Sequence, residues 1–331
     1  ELQASEARVR ARLTALAAAS PPVADLLQVG SFPREVVLGA LSPGDQIVTL
    51  LDGGGPETRA ALLSLMPGTP PRLLRLNKTA GALRHQAQQE LAAVEQQLGK
   101  KVRQLTRGAK RVFVDLGRIS PRLSAERLLK GRPVVRLATL WELADAHPLR
   151  APALAGGVVA DPRTPRAMSL AKALGLRPLT GEALTPGRLD LPLEQANAVV
   201  WSGPIRNDGG SPANLRLLLS DSTARRLDDL RLPQALGLPL RAHLLAILLP
   251  GHHKQLARRA ERVALCRLAH AMGVPSLVLL QGESVAGSAG GRLLRDLLSS
   301  ERGQDLAHIA PSAGSAPGVL QLYGHPGLSK E

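Results

Sequence analysis

The chain has 331 residues, 44% of them hydrophobic and 21% charged, which fits one large α/β domain or two ordinary ones. Aromatic residues make up only 2%, so the core has to be aliphatic, and the single cysteine, Cys266, excludes both a disulfide framework and a cysteine-built zinc site within the chain. The formal charge of +15 is uneven: residues 100–136 hold twelve Lys or Arg, from Lys100 and Lys101 to Arg132 and Arg136, against two acids, Asp115 and Glu126. Such a stretch can bind polyphosphates by counterion release. Against that, no aromatics interleave it for base stacking, and Arg outweighs Lys throughout the chain, as a coding bias would produce. Nucleic acid is therefore the disfavoured partner.

In chain order, residues 5–19 predict a helix ended by Ser20-Pro21-Pro22, followed by a linker over 20–33. The start at Glu1 shows neither a methionine nor a signal-peptide pattern and is expected to continue from a longer chain. A strand is predicted at 47–51, after the turn Ser42-Pro43-Gly44-Asp45, and a second at 73–76, after Pro70-Pro71. Leu83, Ala87, Leu91, Val94 and Leu98 share one face of a helix over 80–99, with Gly99 as its stop.

From residue 110 the pattern changes to short, continuous apolar runs, as expected of strands covered on both faces. They fall at 111–116, 134–137, 157–160, 198–201, 244–249, 276–280 and 319–323. Helices are predicted between them at 165–174, from Thr164-Pro165 to Gly175, at 254–272, and after Gly290-Gly291. The alternation implies a parallel or mostly parallel sheet flanked by helices, with right-handed crossovers. No run of about 18 apolar residues occurs, so no membrane span is expected. A lone cysteine fits a reducing, cytoplasmic setting.

Several landmarks, in order, resemble the CHAT domain, a caspase-like module of peptidase clan CD often found after tetratricopeptide repeats in bacteria. Leu41-Ser42-Pro43-Gly44-Asp45-Gln46-Ile47-Val48 is similar to its opening turn and first strand. The run from Arg111 to Arg118 and on through Leu128-Leu129 resembles its central strand and the element that follows. Val158-Val159-Ala160-Asp161-Pro162 resembles the strand leading to "N-P", and Leu174 to Thr185 the segment after it. Gln321-Leu322-Tyr323-Gly324-His325-Pro326-Gly327-Leu328 is close to the terminal "G-D-P-x-L". The resemblance spans roughly 35–328. It implies an α/β, caspase-like fold: an N-terminal helix and linker over 1–34 as the tail of an upstream helical-repeat region, an N-terminal half over 35–195, and a C-terminal caspase-like half over 196–331.

The same resemblance locates the chemistry. In the family one strand ends in "H-x-A-x-H-G", whose second histidine is the general base, and the next long strand ends in "L-S-A-C", which supplies the nucleophile. Here those stretches are Val200-Trp201-Ser202-Gly203-Pro204-Ile205 and Leu244-Leu245-Ala246-Ile247-Leu248-Leu249-Pro250. Pro204 falls on the histidine and Pro250 (or Leu249, one residue earlier) on the cysteine. Acyl transfer needs a thiolate and an imidazole, and proline supplies neither. The expectation is a pseudo-peptidase that keeps a cleft for a protein or peptide partner, without cofactor or metal.

Other residues compete for a role. Cys266 is predicted within the 254–272 helix, where a packed thiol is more expected than a nucleophile. His252 and His253 follow the Pro250-Gly251 turn but lack a nearby acid to orient them. Glu283 and Ser284 follow the 276–280 strand, in a loop that runs into Gly287-Ser288-Ala289-Gly290-Gly291 and lacks the spacing of a phosphate loop. Asp208 sits in an Asn-Asp-Gly-Gly turn with no second carboxylate at suitable spacing. With Ser202, these define the cleft residues to look for: Ser202, His252, His253, Glu283 and Ser284. Two alternatives stay open: an active caspase-type endopeptidase pairing Cys266 with His252, His253 or His270, and a nucleotide or nucleic-acid binder using 100–136 or the 282–291 loop.

Overall fold

A computed structural model of the chain describes residues 34–51, 59–116, 157–185, 195–207, 215–219, 224–226, 244–249, 276–281 and 320–324. It also describes shorter stretches between 119 and 143 and between 242 and 298. The predicted helix at 5–19 and its linker lie outside the described residues.

A short helix, α1 (Arg34–Gly39), leads into strand β1 (Asp45–Leu51). Strands β2 (Arg59–Leu65) and β3 (Arg72–Thr79) follow as an antiparallel meander, with Leu50 opposite Leu62 and Leu62 opposite Leu74. β2 is absent from the predicted elements, and β3 is twice the length expected.

The predicted helix at 80–99 is two helices, α2 (Ala80–Gln89) and α3 (Leu91–Leu105), broken at Glu90 with φ −133° and ψ 66°. Thr79 caps α2 by accepting the N–H of Ala82 at 3.1 Å. Gly99 does not stop the helix; it lies buried inside α3, where a β-carbon would stand 3.4 Å from the carbonyl oxygen of Leu128. That residue belongs to α4 (Ala125–Leu129), so the glycine permits a close helix approach, clasped by the Nη1 of Arg103 donating to the same oxygen at 2.7 Å.

Next come β4 (Arg111–Asp115), β5 (Val134–Arg136), β6 (Val158–Ala160), helix α5 (Thr164–Leu174) and β7 (Arg177–Leu179). Helix α5 ends as predicted on Gly175, at φ 68°. They are followed by β8 (Ala198–Trp201), the small strands β9 (Ile205–Asn207), β10 (Leu215–Leu218) and β11 (Ala224–Arg226), and then β12 (Leu244–Leu249), β13 (Ser276–Gln281) and β14 (Leu320–Gly324). Strands β9, β10 and β11 form a separate antiparallel sheet.

The eleven other strands form one sheet in the order β3-β2-β1-β4-β5-β14-β13-β12-β8-β6-β7. Its ladders are parallel except within the β1–β2–β3 meander and between β13 and β14. The architecture is α/β with a mostly parallel sheet. Because β13 and β14 run antiparallel, the strands β1, β4 and β5 point opposite to β6, β8 and β12. Strands β6 and β7 precede residue 196 in sequence but sit beside β8 in the sheet.

The core follows from the sheet. One face carries a continuous apolar layer from Ile47 and Phe113 through Val135 to Val200, Ala246 and Val278, covered by Val37 of α1 and Leu170 and Leu174 of α5. The other face carries two layers. Leu83, Val94, Leu98 and Leu128 of α2, α3 and α4 cover Val48 and Val112, whereas Leu265, Cys266 and Ala269 cover Leu245 and Leu277. Burial on both faces explains why β4, β6 and β8 read as unbroken apolar runs.

Candidate functional site at the carboxyl ends of β6 and β8

The chain leaves β6 for β7 on one side and later returns to β8 on the other, so strand order reverses between β6 and β8. In a parallel sheet such a reversal opens a crevice beyond the carboxyl ends of the two strands. The residues that follow those ends are Asp161 and Ser202. They stand side by side because the ladder extends one step past each strand: Asp161 N–H donates to the Leu179 carbonyl at 3.2 Å, and Ser202 N–H to the Ala160 carbonyl at 3.0 Å.

Asp161 is fully buried. Its Oδ1 accepts the backbone N–H of Arg163 at 2.9 Å, an Asx-type turn that swings the chain from β6 into α5. The Arg163 guanidinium closes on the same carboxylate through Nε and Nη2, both at 2.9 Å, and Nη2 also reaches the Ser202 carbonyl at 2.9 Å. Ser202 Oγ donates to Asp161 Oδ2 at 2.8 Å, and Arg166 Nε donates to Ser202 Oγ at 3.1 Å while lying 3.6 Å from Asp161 Oδ2. Arg163 and Arg166 keep 46% and 33% of their side-chain surface exposed over a carboxylate that has none. Two guanidinium groups on one carboxylate leave the cluster with a net positive charge.

Burial alone would raise the Asp161 pKa. The Arg163 side-chain and backbone hydrogen bonds, the Ser202 hydroxyl and the Arg163 charge outweigh it and hold the carboxyl below its ordinary value. Its partner Arg163 is raised above the usual guanidinium value, chiefly by the hydrogen bond to Asp161, although burial works against it.

Beneath the cluster, Gly203 is wedged between Pro162 and Trp201: a β-carbon there would lie 2.8 Å from Pro162 Cδ and 2.8 Å from Trp201 Cζ2. Trp201 is buried, and its indole N–H meets no acceptor among the described residues. Pro204 is half-buried where the chain passes from the large sheet into β9, and its carbonyl accepts the N–H of Leu218 at 3.1 Å.

Strand β12 lies directly beside β8 and runs parallel to it, with Ala198 opposite Leu244 and Trp201 opposite Ile247. The strands that precede Pro204 and Pro250 are therefore neighbours whose carboxyl ends share a rim. Leu249 is the last described residue of β12. Pro250, His252, His253, Glu283, Ser284, Asp208 and His270 lie outside the described residues. Cys266 is fully buried in the apolar layer against β12 and β13. Among the described residues the only histidine is His85, exposed on α2, and no cluster of metal-ligating side chains occurs.

Of the expected cleft residues, Ser202 takes part in a built polar site. Asp161 entered the sequence reading only through its place before Pro162, and Arg163 and Arg166 not at all. They meet Ser202 from about forty positions away in the chain, a distance no local motif announces.

The fold and this cluster define an α/β protein with a buried polar cluster, capped by two arginines, at a strand-order reversal. The chain matches no protein-family model, and no curated protein matches it. Among the described residues no helix is long and apolar enough to cross a membrane.

Proposed function

We propose that the chain is a catalytically degenerate, caspase-like domain of the CHAT type, acting as a protein-binding or signalling scaffold and not as a peptidase. The observation that carries this reading is the pairing of β8 with β12. A general base and a nucleophile that share a proton have to stand about 3 Å apart, which neighbouring parallel strand ends make possible. Trp201 lies opposite Ile247, and three positions after each the sequence has Pro204 and Pro250. Neither ring carries an ionisable group. The burial of Cys266 supports a structural thiol, since a nucleophile has to be reached by substrate. At the strand ends Arg163 and Arg166, held over the buried Asp161 and Ser202, keep exposed surface that can hold a segment of a partner without cutting it.

The test restores the dyad. In a Cys266→Ala background, the Pro204→His, Pro250→Cys double variant is compared with Pro250→Cys alone for alkylation by iodoacetamide at neutral pH. A thiol that gains an imidazole neighbour reacts faster, by on the order of tenfold. Equal rates would show that the two positions do not face one another. Peptide hydrolysis by the unaltered chain, abolished by Cys266→Ala, would overturn the pseudo-peptidase reading outright.

A further inference from the structure

The two outer edges of the large sheet are built differently. β7 closes one edge with three residues, the middle one Pro178, which has no N–H to offer another strand. β3 closes the other with eight residues and no proline. Among the described residues nothing pairs with its outer side. An edge of that length presents a row of N–H and C=O groups, which an extended segment satisfies by joining the sheet.

The side chains along β3 specify the segment. Arg72, Leu73, Arg75 and Asn77 are exposed, Leu73 at 54%. Lys101 of α3 reaches to within 3.5 Å of the Arg75 carbonyl. Residues 59–116 contain eleven Lys or Arg and three acids, Glu90, Glu95 and Asp115. Two of those acids are buried, Glu95 against Arg127 and Asp115 against Thr49, so they do not offset the field at the edge. A second copy of β3 is a poor occupant, because it sets a strand with three cations (Arg72, Arg75, Lys78) and no acid beside another like it. A phosphate backbone would answer the charge but leave the ladder groups unused, and the described aromatic rings, Phe113 and Trp201, are buried and unable to stack on bases.

We propose that the outer edge of β3 is a docking site for an acidic, extended segment of a partner protein, which adds to the sheet as a further strand. Its Asp or Glu side chains face Arg72 and Arg75, and an apolar side chain covers Leu73. This inference stands on the edge and its charge, and does not depend on the crevice at β6 and β8.

The test uses the full chain and a capped, fluorescent peptide of valine, threonine and glutamate. Two probes of similar charge serve as comparison: the same peptide with prolines in place of valine and threonine, and oligo-dT. The expected result is saturable binding of the first peptide, slowed amide exchange confined to residues 72–79 and their neighbours on β2, and a loss on the order of tenfold in Arg75→Glu. The proline peptide should bind at least that much more weakly. Equal binding of the two peptides would reduce the site to a non-specific charged surface, and tighter binding of oligo-dT would make it a nucleic-acid surface. Protection elsewhere, or no binding, would also overturn the proposal. Retention of the circular dichroism spectrum by Arg75→Glu guards against reading misfolding as lost affinity.

Discussion

Two buried aspartates in this protein are paired with arginine in different ways. Asp45, at the amino end of β1, receives Arg111 of the adjacent β4 through Nε at 3.0 Å and through Nη2 in a second, shorter contact, and the Ser42 N–H fills a further acceptor site at 2.9 Å. Arg111 is itself buried and lies over the Phe113 ring, 5.2 Å from its centroid. Asp161 is equally buried, but its arginines are not. The first pair is sealed between strands and has nothing left to offer a ligand. The second keeps two guanidinium groups at the surface, held in place by the carboxylate beneath them. Strand direction adds to the contrast. β1 and β6 run oppositely, so both centres lie on one rim of the sheet, seven strand spacings or roughly 30 Å apart.

The comparison can be broken at the sealed pair first. Asp45→Ala leaves the Arg111 charge buried without its carboxylate and is expected to cost about 3–5 kcal/mol, read from denaturant or thermal unfolding. Asp161→Ala removes the anchor of the open cluster. Its arginines can turn to water, so the expected cost is smaller, about 1–3 kcal/mol for the buried hydrogen bonds lost. A loss as large as that of Asp45→Ala would show that the second cluster is also a sealed structural pair.

Gly203→Ala sharpens the picture of the crevice floor. A methyl group cannot stand 2.8 Å from both Pro162 and Trp201, and overpacking of this kind costs about 1–3 kcal/mol. A red-shifted or broadened tryptophan emission would accompany it, and a stability within error of the parent would refute the close packing. Ser202→Ala deletes one donor to Asp161 and one acceptor for Arg166, for about 1 kcal/mol.

The smallest effect is in pH. The Asp161 carboxyl is held below its ordinary value in the fold, so its contribution to stability is fully present above the unfolded value of about 3.9. That contribution fades as pH falls through the folded value. The stability gap between the parent and Asp161→Asn should therefore be constant from neutral pH to about 5 and narrow below about 4. A gap that stayed constant into strong acid would mean that the carboxylate is not the form the fold prefers.

Much of the scaffold was legible because burial on both faces leaves a plain signature. Leu244–Leu249 and Ala198–Trp201 read as strands from apolar continuity alone, and their bounds agree with the structure. β2 was not legible: Arg-Ala-Ala-Leu-Leu-Ser-Leu has helix-forming composition, and it is a strand because β1 and β3 hold it on either side. The break at Glu90 carries no glycine or proline to mark it. Gly99 misleads in the other direction, since a glycine needed for close packing and a glycine needed for a helix stop look alike in sequence. At the site, the sequence singled out Ser202, whereas the Asp161–Arg163–Arg166 arrangement exists only once β6 and β8 lie together.

The position of β14 has a consequence for how the molecule is made. This strand, residues 320–324, is inserted between β5 and β13, where Tyr323 meets Arg136 on one side and Leu277 on the other. A ribosome delivers it long after both of its neighbours. In the sheet order it is the strand that joins the β3–β5 side to the β13–β7 side. Final assembly therefore waits on contacts nearly two hundred residues apart in sequence on the β5 side, a high-contact-order step that places folding of this chain among the slow topologies.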